Sequence, residues 1–191
     1  MVKGCYAGSD WDQSDYESYV KRSREKLVLM ERKPLKIETG EYRTWFEAAA
    51  VADFLGMFSW NGISEASLRQ GCSGFGRMRH DDVRLSTKFS VIEDFSPGFC
   101  PKFNSNGEIS PDSISLIENG SLKNTLVSSR SAKEYGVQSN FAEGGEHLRS
   151  PRMEPGSLNH NDVTKNIDKG LFLSNIHYLN WSDNAGGRIT G

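Results

Sequence analysis

At 191 residues the chain is long enough for one sizeable domain, or one domain with a helical lead-in. A charged share of 25% beside ten Phe, six Tyr and four Trp excludes wholesale disorder, and a formal net charge of -2 without a basic stripe argues against nucleic-acid binding. No apolar run approaches the length of a membrane span and none follows Met1-Val2-Lys3-Gly4 as a signal peptide requires, so the expected compartment is the cytoplasm.

The first expected element is a helix from about Ser14 to Glu31. Ser14 and Glu17 have capping-box spacing, Tyr16, Val20, Leu27 and Met30 recur at helical spacing, and Pro34 stops the pattern. Its run Lys21-Arg22-Ser23-Arg24-Glu25-Lys26 reads as a solvated helix face. Lys36 to Trp45 reads as a strand broken by Gly40, and Phe46 to Met57 as an alanine-rich helix ended by Asn61-Gly62. Ser64 is placed to cap a short helix through Arg69.

From Val83 to Glu93 the pattern alternates as in a strand, and a Pro, Gly and Asn-rich loop follows from Ser96 to Asp112. Ile114–Glu118 and Leu122–Val127 flank Asn119-Gly120, the pair that supplies the positive φ angles of a type I′ hairpin turn. Ser131 to Tyr135 is a short helix closed by Gly136, and Gln138 to Glu146 is loop. Asp162 to Lys169 is a helix closed by Gly170, and Leu171 to Leu179 an apolar, aromatic strand that Asp183–Gly187 turns back. Only a few residues remain after that turn, where a pairing strand usually has about five or six, so the chain reads as truncated at its C-terminus. The expected fold class is α+β: N-terminal helices, then a mostly antiparallel β region.

The residues that could carry chemistry are scattered. Gly71-Cys72-Ser73-Gly74-Phe75-Gly76 lacks the Gly-Lys-Ser/Thr of a phosphate loop and the glycine spacing of a dinucleotide fingerprint, which leaves a tight turn between helix and strand. Cys5, Cys72 and Cys100 form no CxxC, and a catalytic thiol needs an adjacent base. Among His80, His147, His160 and His177 no two form a chelating pair on one helix. His177 reads as a packed or hydrogen-bonded core residue, and Glu143-Gly144-Gly145-Glu146 as solvated loop.

Several stretches, in order, carry a family resemblance. They are Phe89–Asp94, Phe103-Asn104-Ser105-Asn106-Gly107-Glu108, the hairpin Leu116-Ile117-Glu118-Asn119-Gly120-Ser121-Leu122-Lys123, the helix Ser128–Gly136, Pro151-Arg152-Met153-Glu154-Pro155-Gly156, Gly170-Leu171-Phe172-Leu173 and Tyr178-Leu179-Asn180-Trp181. In these the chain resembles the TldD/PmbA family of the TldD–TldE metallopeptidase system, whose members have also been called modulators of DNA gyrase. The likeness covers about Tyr42 to Gly191. It implies residues 1–40 as a linker and helix from a preceding domain, and 41–191 as a partial C-terminal domain. The family's catalytic subunit places a His-Glu-x-x-x-His zinc motif on one helix. The matching stretch here, Ala49 to Phe58, holds no histidine and only Asp53. The resemblance is therefore to the non-catalytic TldE/PmbA-like branch, with no catalytic and no metal residue in this chain. Zinc is expected in a TldD-like catalytic subunit as partner, with an extended peptide as substrate and no nucleic-acid or membrane partner. Arg152, Asn175 and Tyr178 are the residues assigned to a peptide channel, because main-chain pairing at strand edges binds peptides of any sequence. Two alternatives stay open: an independent hydrolase using Cys72 or Cys100, and an inactive structural fragment.

Overall fold

The computed structural model describes residues 2, 6, 8–80, 82–159, 162–167 and 169–191. Cys5 and His160 lie outside the described residues. The first element, α1 (Gln13–Met30), is capped by Asp12 rather than Ser14: the Asp12 carboxylate accepts from the Ser14 and Asp15 backbone N–H groups. Asp12 sits two residues before Ser14 and accepts both, so the helix starts there. None of its residues is buried, and Tyr16, Leu27 and Met30 of its apolar stripe are exposed.

Residues 31–42 form no strand; only β1 (Arg43–Phe46) does. The helix α2 (Ala48–Gly56) follows and tightens into a 3-10 turn at Met57–Ser59. Ala50, Leu55, Met57 and Phe58 are buried from this stretch. Ser64 caps α3 (Glu65–Arg69), its hydroxyl accepting from the Ser67 N–H at 3.1 Å. The glycine-rich turn after it leads into another helix, α4 (Gly76–Arg79), not into a strand. The expected strand from Val83 shrinks to β2 (Val91–Asp94), because the stretch before it wraps the hairpin turn instead. The Leu85 N–H donates to the Gly120 carbonyl and the Gly120 N–H donates to the Phe89 carbonyl, each at 2.9 Å.

That hairpin joins β3 (Ser113–Glu118) to β4 (Ser121–Leu122), with Asn119 at φ 48° and Gly120 at φ 77°, both positive as a type I′ turn requires. Next comes α5 (Ser129–Tyr135), capped by Ser128 and closed by left-handed Gly136. β5 (Pro151–Met153) completes an antiparallel sheet in the order β4-β3-β2-β5, leaving β5 as an edge. After α6 (Val163–Asn166), β6 (Gly170–Leu173) pairs in parallel with β1. The expected long strand ends at Leu173, and β7 (Asn180–Asp183) begins a separate hairpin with β8 (Arg188–Thr190). The three residues of β8 suffice to pair because Trp181 anchors the hairpin, donating through Nε1 to the Trp60 carbonyl at 2.7 Å.

The class is thus α+β with mostly antiparallel sheets. The core lies between the inner face of β2 and β3 (Val91, Ile114, Leu116, Ile117) and Leu55, Phe58, Ile63, Leu68, Phe75 and Met78 from the helical side. Phe58 sits edge-on to Phe75 at 4.8 Å, and Phe75 to Trp181 at 6.3 Å. Such edge-to-face pairs add to the gain from burial alone.

Candidate functional site

Three buried glutamates organise the polar interior, each held differently. Glu65, first residue of α3 and 2% exposed, accepts from both terminal nitrogens of Arg79 (2.7 and 2.9 Å), from Arg69 Nε at 2.8 Å and from the Thr125 hydroxyl at 2.7 Å. Burial pushes its carboxyl up, but the Arg79, Arg69 and Thr125 hydrogen bonds outweigh this and hold its pKa at about 2. Glu65 is therefore a permanently charged anchor with no proton to exchange near neutrality.

Glu146, also 2% exposed, lies in the loop read from sequence as solvated. One oxygen accepts from the Ser64 hydroxyl (2.6 Å) and the Ala66 N–H (2.9 Å), the other from the Ser128 N–H (2.9 Å) and hydroxyl (3.0 Å). It thereby latches the starts of α3 and α5 together. Burial raises its pKa, while hydrogen bonds from Ser131, Ser64 and the backbone bring the net value below the ordinary one. A polar run of sequence gave no sign of this.

Glu93, in β2 and 1% exposed, is the contrary case. Its Oε1 accepts from the Arg149 and Ser150 N–H groups at 2.5 and 2.7 Å, but Oε2 has no partner among the described residues. Burial dominates and pushes the carboxyl up.

A cleft of about 710 Å³ opens beside the Glu65–Arg79–Thr125 group, walled by Ile109–Pro111, Lys123 and the 137–141 loop. Its hydroxyls are engaged: Ser110 donates to the Phe141 carbonyl (3.2 Å) and Ser139 to the Val127 carbonyl (3.1 Å). No His or Cys lines it among the described residues.

The residues assigned to a peptide channel fall in two places. Arg152, in the edge strand β5, pairs with Asp94 (3.1 Å) and Glu154 (3.2 Å). Asn175 and Tyr178 lie between β6 and β7, where Asn175 Nδ2 meets His177 Nε2 at 2.9 Å and Tyr178 is 97% exposed at φ 53°. No hydrogen bond or ion pair among the described residues joins Arg152 to either, and none of the three lines the 710 Å³ cleft.

On α2, Asp53 is already engaged: its Oδ2 accepts from the Ile176 N–H at 3.0 Å. Among the described residues no three His, Cys, Asp or Glu side chains are grouped as a metal would require, so the side chains around α2 do not fit a zinc ion. His177 is exposed rather than packed in the core, and His147 Nδ1 meets the Ser59 carbonyl at 3.1 Å. The Cys72 thiol is exposed and contacts the Gln70 carbonyl at 3.7 Å, and Cys100 is half-buried. Neither is hydrogen-bonded to a histidine among the described residues. Gly74 admits the Trp181 ring, since a Cβ there would lie 2.5 Å from it, while Gly71 turns the chain at φ 72°.

No curated protein matches the chain. Among solved structures it is similar to a Thermotoga maritima protein carried under the name modulator of a DNA gyrase (TM-score 0.69, 20% identity, 85% of this chain and 38% of that one). It is also similar to TldE from Thermococcus kodakarensis (0.67, 20%, 86% and 39%) and to a Bacteroides thetaiotaomicron protein likewise named a modulator of DNA gyrase (0.68, 16%, 89% and 41%). The chain spans about two fifths of the length of these structures, and identities this low speak for the fold alone. Residues 39–191 match the PmbA/TldA metallopeptidase C-terminal domain, and with most of its length inside that match the chain belongs to the PmbA/TldA family.

Proposed function

We propose that the chain serves as a TldE/PmbA-like, non-catalytic subunit of a cytoplasmic peptidase, pairing with a TldD-like subunit that carries the zinc and helping to enclose an extended peptide. The observation that carries this reading is α2. It is the helix that corresponds by resemblance to the zinc helix, yet it reads Ala-Ala-Ala-Val-Ala-Asp-Phe-Leu-Gly, and its single carboxylate accepts from the Ile176 backbone. An apolar helix packed on a hydrophobic core supplies a wall, not a ligand set. The outer edge of β5 supports the peptide half of the reading: main-chain groups at a free sheet edge accept any extended sequence, and Arg152 stands beside it. In this reading Asn175 and Tyr178 contact the peptide from the β6–β7 connection.

Zinc analysis by mass spectrometry on the purified chain, alone and after co-expression with a TldD-like subunit, tests the proposal together with cleavage of an unstructured peptide. Zinc and chelator-sensitive cleavage only in the co-purified complex are the expected result. Stoichiometric zinc in the lone chain, or cleavage by it that alkylation of Cys72 abolishes and a chelator does not, overturns it.

A further inference from the structure

The helix α1 lies outside the matched 39–191 region and carries an apolar seam no residue of which is buried, with the Trp11 ring 5.3 Å from that of Tyr16 and with Val20 and Ser23 half-buried. Tyr16, Val20, Ser23, Leu27 and Met30 follow one another at alternating steps of four and three, the spacing of a coiled-coil seam. Tyr16 and Leu27 are 49% and 48% exposed. With Trp11 and Tyr19 they border an apolar groove of about 400 Å³ along the helix. The ion pair Lys26–Glu47 ties α1 to the domain at the start of α2. A contiguous apolar face of this kind on a water-exposed helix marks a contact surface.

Charge says what fits it. The acidic residues Asp10, Asp12, Asp15 and Glu17 cluster at the start, while Lys21, Arg22, Arg24, Lys26, Arg32 and Lys33 follow, interrupted by Glu25 and Glu31. A second copy laid antiparallel sets the acidic half against the basic half at both ends of the contact, whereas a parallel copy stacks like on like. An anionic lipid surface would meet the basic half and be repelled by the acidic one. We propose that α1 is a self-association element: two copies of the chain pair antiparallel through the Tyr16–Val20–Leu27 seam, with Glu17 of each copy facing Arg24 of the other. The pair is short, about two and a half heptads, so it is weak and salt-sensitive. This inference does not depend on the peptidase reading.

Sedimentation of the full chain over a range of micromolar concentrations, at low and high salt, tests it. A concentration-dependent dimer that weakens as salt rises is expected. Val20→Asp with Leu27→Asp should leave a monomer; because α1 contributes no buried residue, the circular dichroism and urea midpoint of that variant should match the wild type. Glu17→Lys and Arg24→Glu should each weaken the dimer about tenfold, and the two together should restore it, since the reversed pair is again complementary. A monomer at every concentration, a dimer that survives Val20→Asp with Leu27→Asp, or a charge-swapped pair that stays weak overturns the proposal. So does finding that the chain stays monomeric while the α1 variants weaken its binding to a TldD-like subunit or to phosphatidylserine vesicles.

Discussion

At the scale of single residues, Glu65 and Glu93 oppose each other in their response to pH. Glu65 has its pKa lowered to about 2 from 4.5, so the stability it gives is complete above 4.5 and lost as pH falls through about 2. Glu93 has its pKa raised, so it favours the folded state below the ordinary glutamate value and withdraws that favour as pH rises through its own raised value. Urea unfolding from acid to neutral pH should therefore show Glu65→Gln losing about 3 kcal/mol at neutrality, because Arg79 keeps its charge without the partner. Its acid-side slope should flatten at the same time. Glu93→Gln should remove the decline on the neutral side and leave the acid side intact. Gly120 has no tolerance of another kind. At φ 77° a Cβ would stand 2.2 Å from the Leu85 carbonyl oxygen, so Gly120→Ala should cost about 3 kcal/mol of unfolding free energy, more than the left-handed conformation alone explains.

At the scale of elements, the short helices α3 and α5 are too brief to stand alone and depend on what holds their first turns. Glu146 is that support. Glu146→Ala should leave the Ala66 and Ser128 N–H groups without a partner and cost about 3 kcal/mol, and amide exchange should quicken in both helices together rather than in one. The β7–β8 hairpin depends in the same way on Trp181, wedged against Gly74 and Phe75. Trp181→Ala should cost about 2 kcal/mol and expose the 184–187 turn to limited proteolysis well before global unfolding. These dependencies decide what could be read ahead of the structure. Caps and turns written in adjacent residues were legible: Ser64 before α3, Asn119-Gly120 between β3 and β4, Gly136 after α5. The strand limits were not. Leu85 and Phe89 alternate like strand residues, yet their backbone is spent on Gly120, thirty or more positions away. Glu146 was invisible for the same reason, since its partners Ser64 and Ser128 are remote in sequence. For the site, the 710 Å³ cleft brings together segments from Glu65 to Phe141 and is seen only once they fold.

For the whole molecule, one parallel pairing closes the domain. β1 and β6 join residues 43–46 to 170–173, and side-chain bonds from Arg43 to the Asn166 carbonyl and from the Ile176 N–H to Asp53 reinforce the closure, each bridging 123 positions. A vectorial consequence follows for synthesis. At roughly 5 to 20 residues per second, β1 emerges from the ribosome roughly 6 to 25 seconds before the strand it needs. During that wait Trp45 and Phe46 travel on an unclaimed edge, in the company of whatever other nascent or misfolded chains the cell contains. The antiparallel sheet can assemble from its own neighbours meanwhile, so the vulnerable interval belongs to the clasp alone, and slowing translation downstream of Met153 would lengthen it.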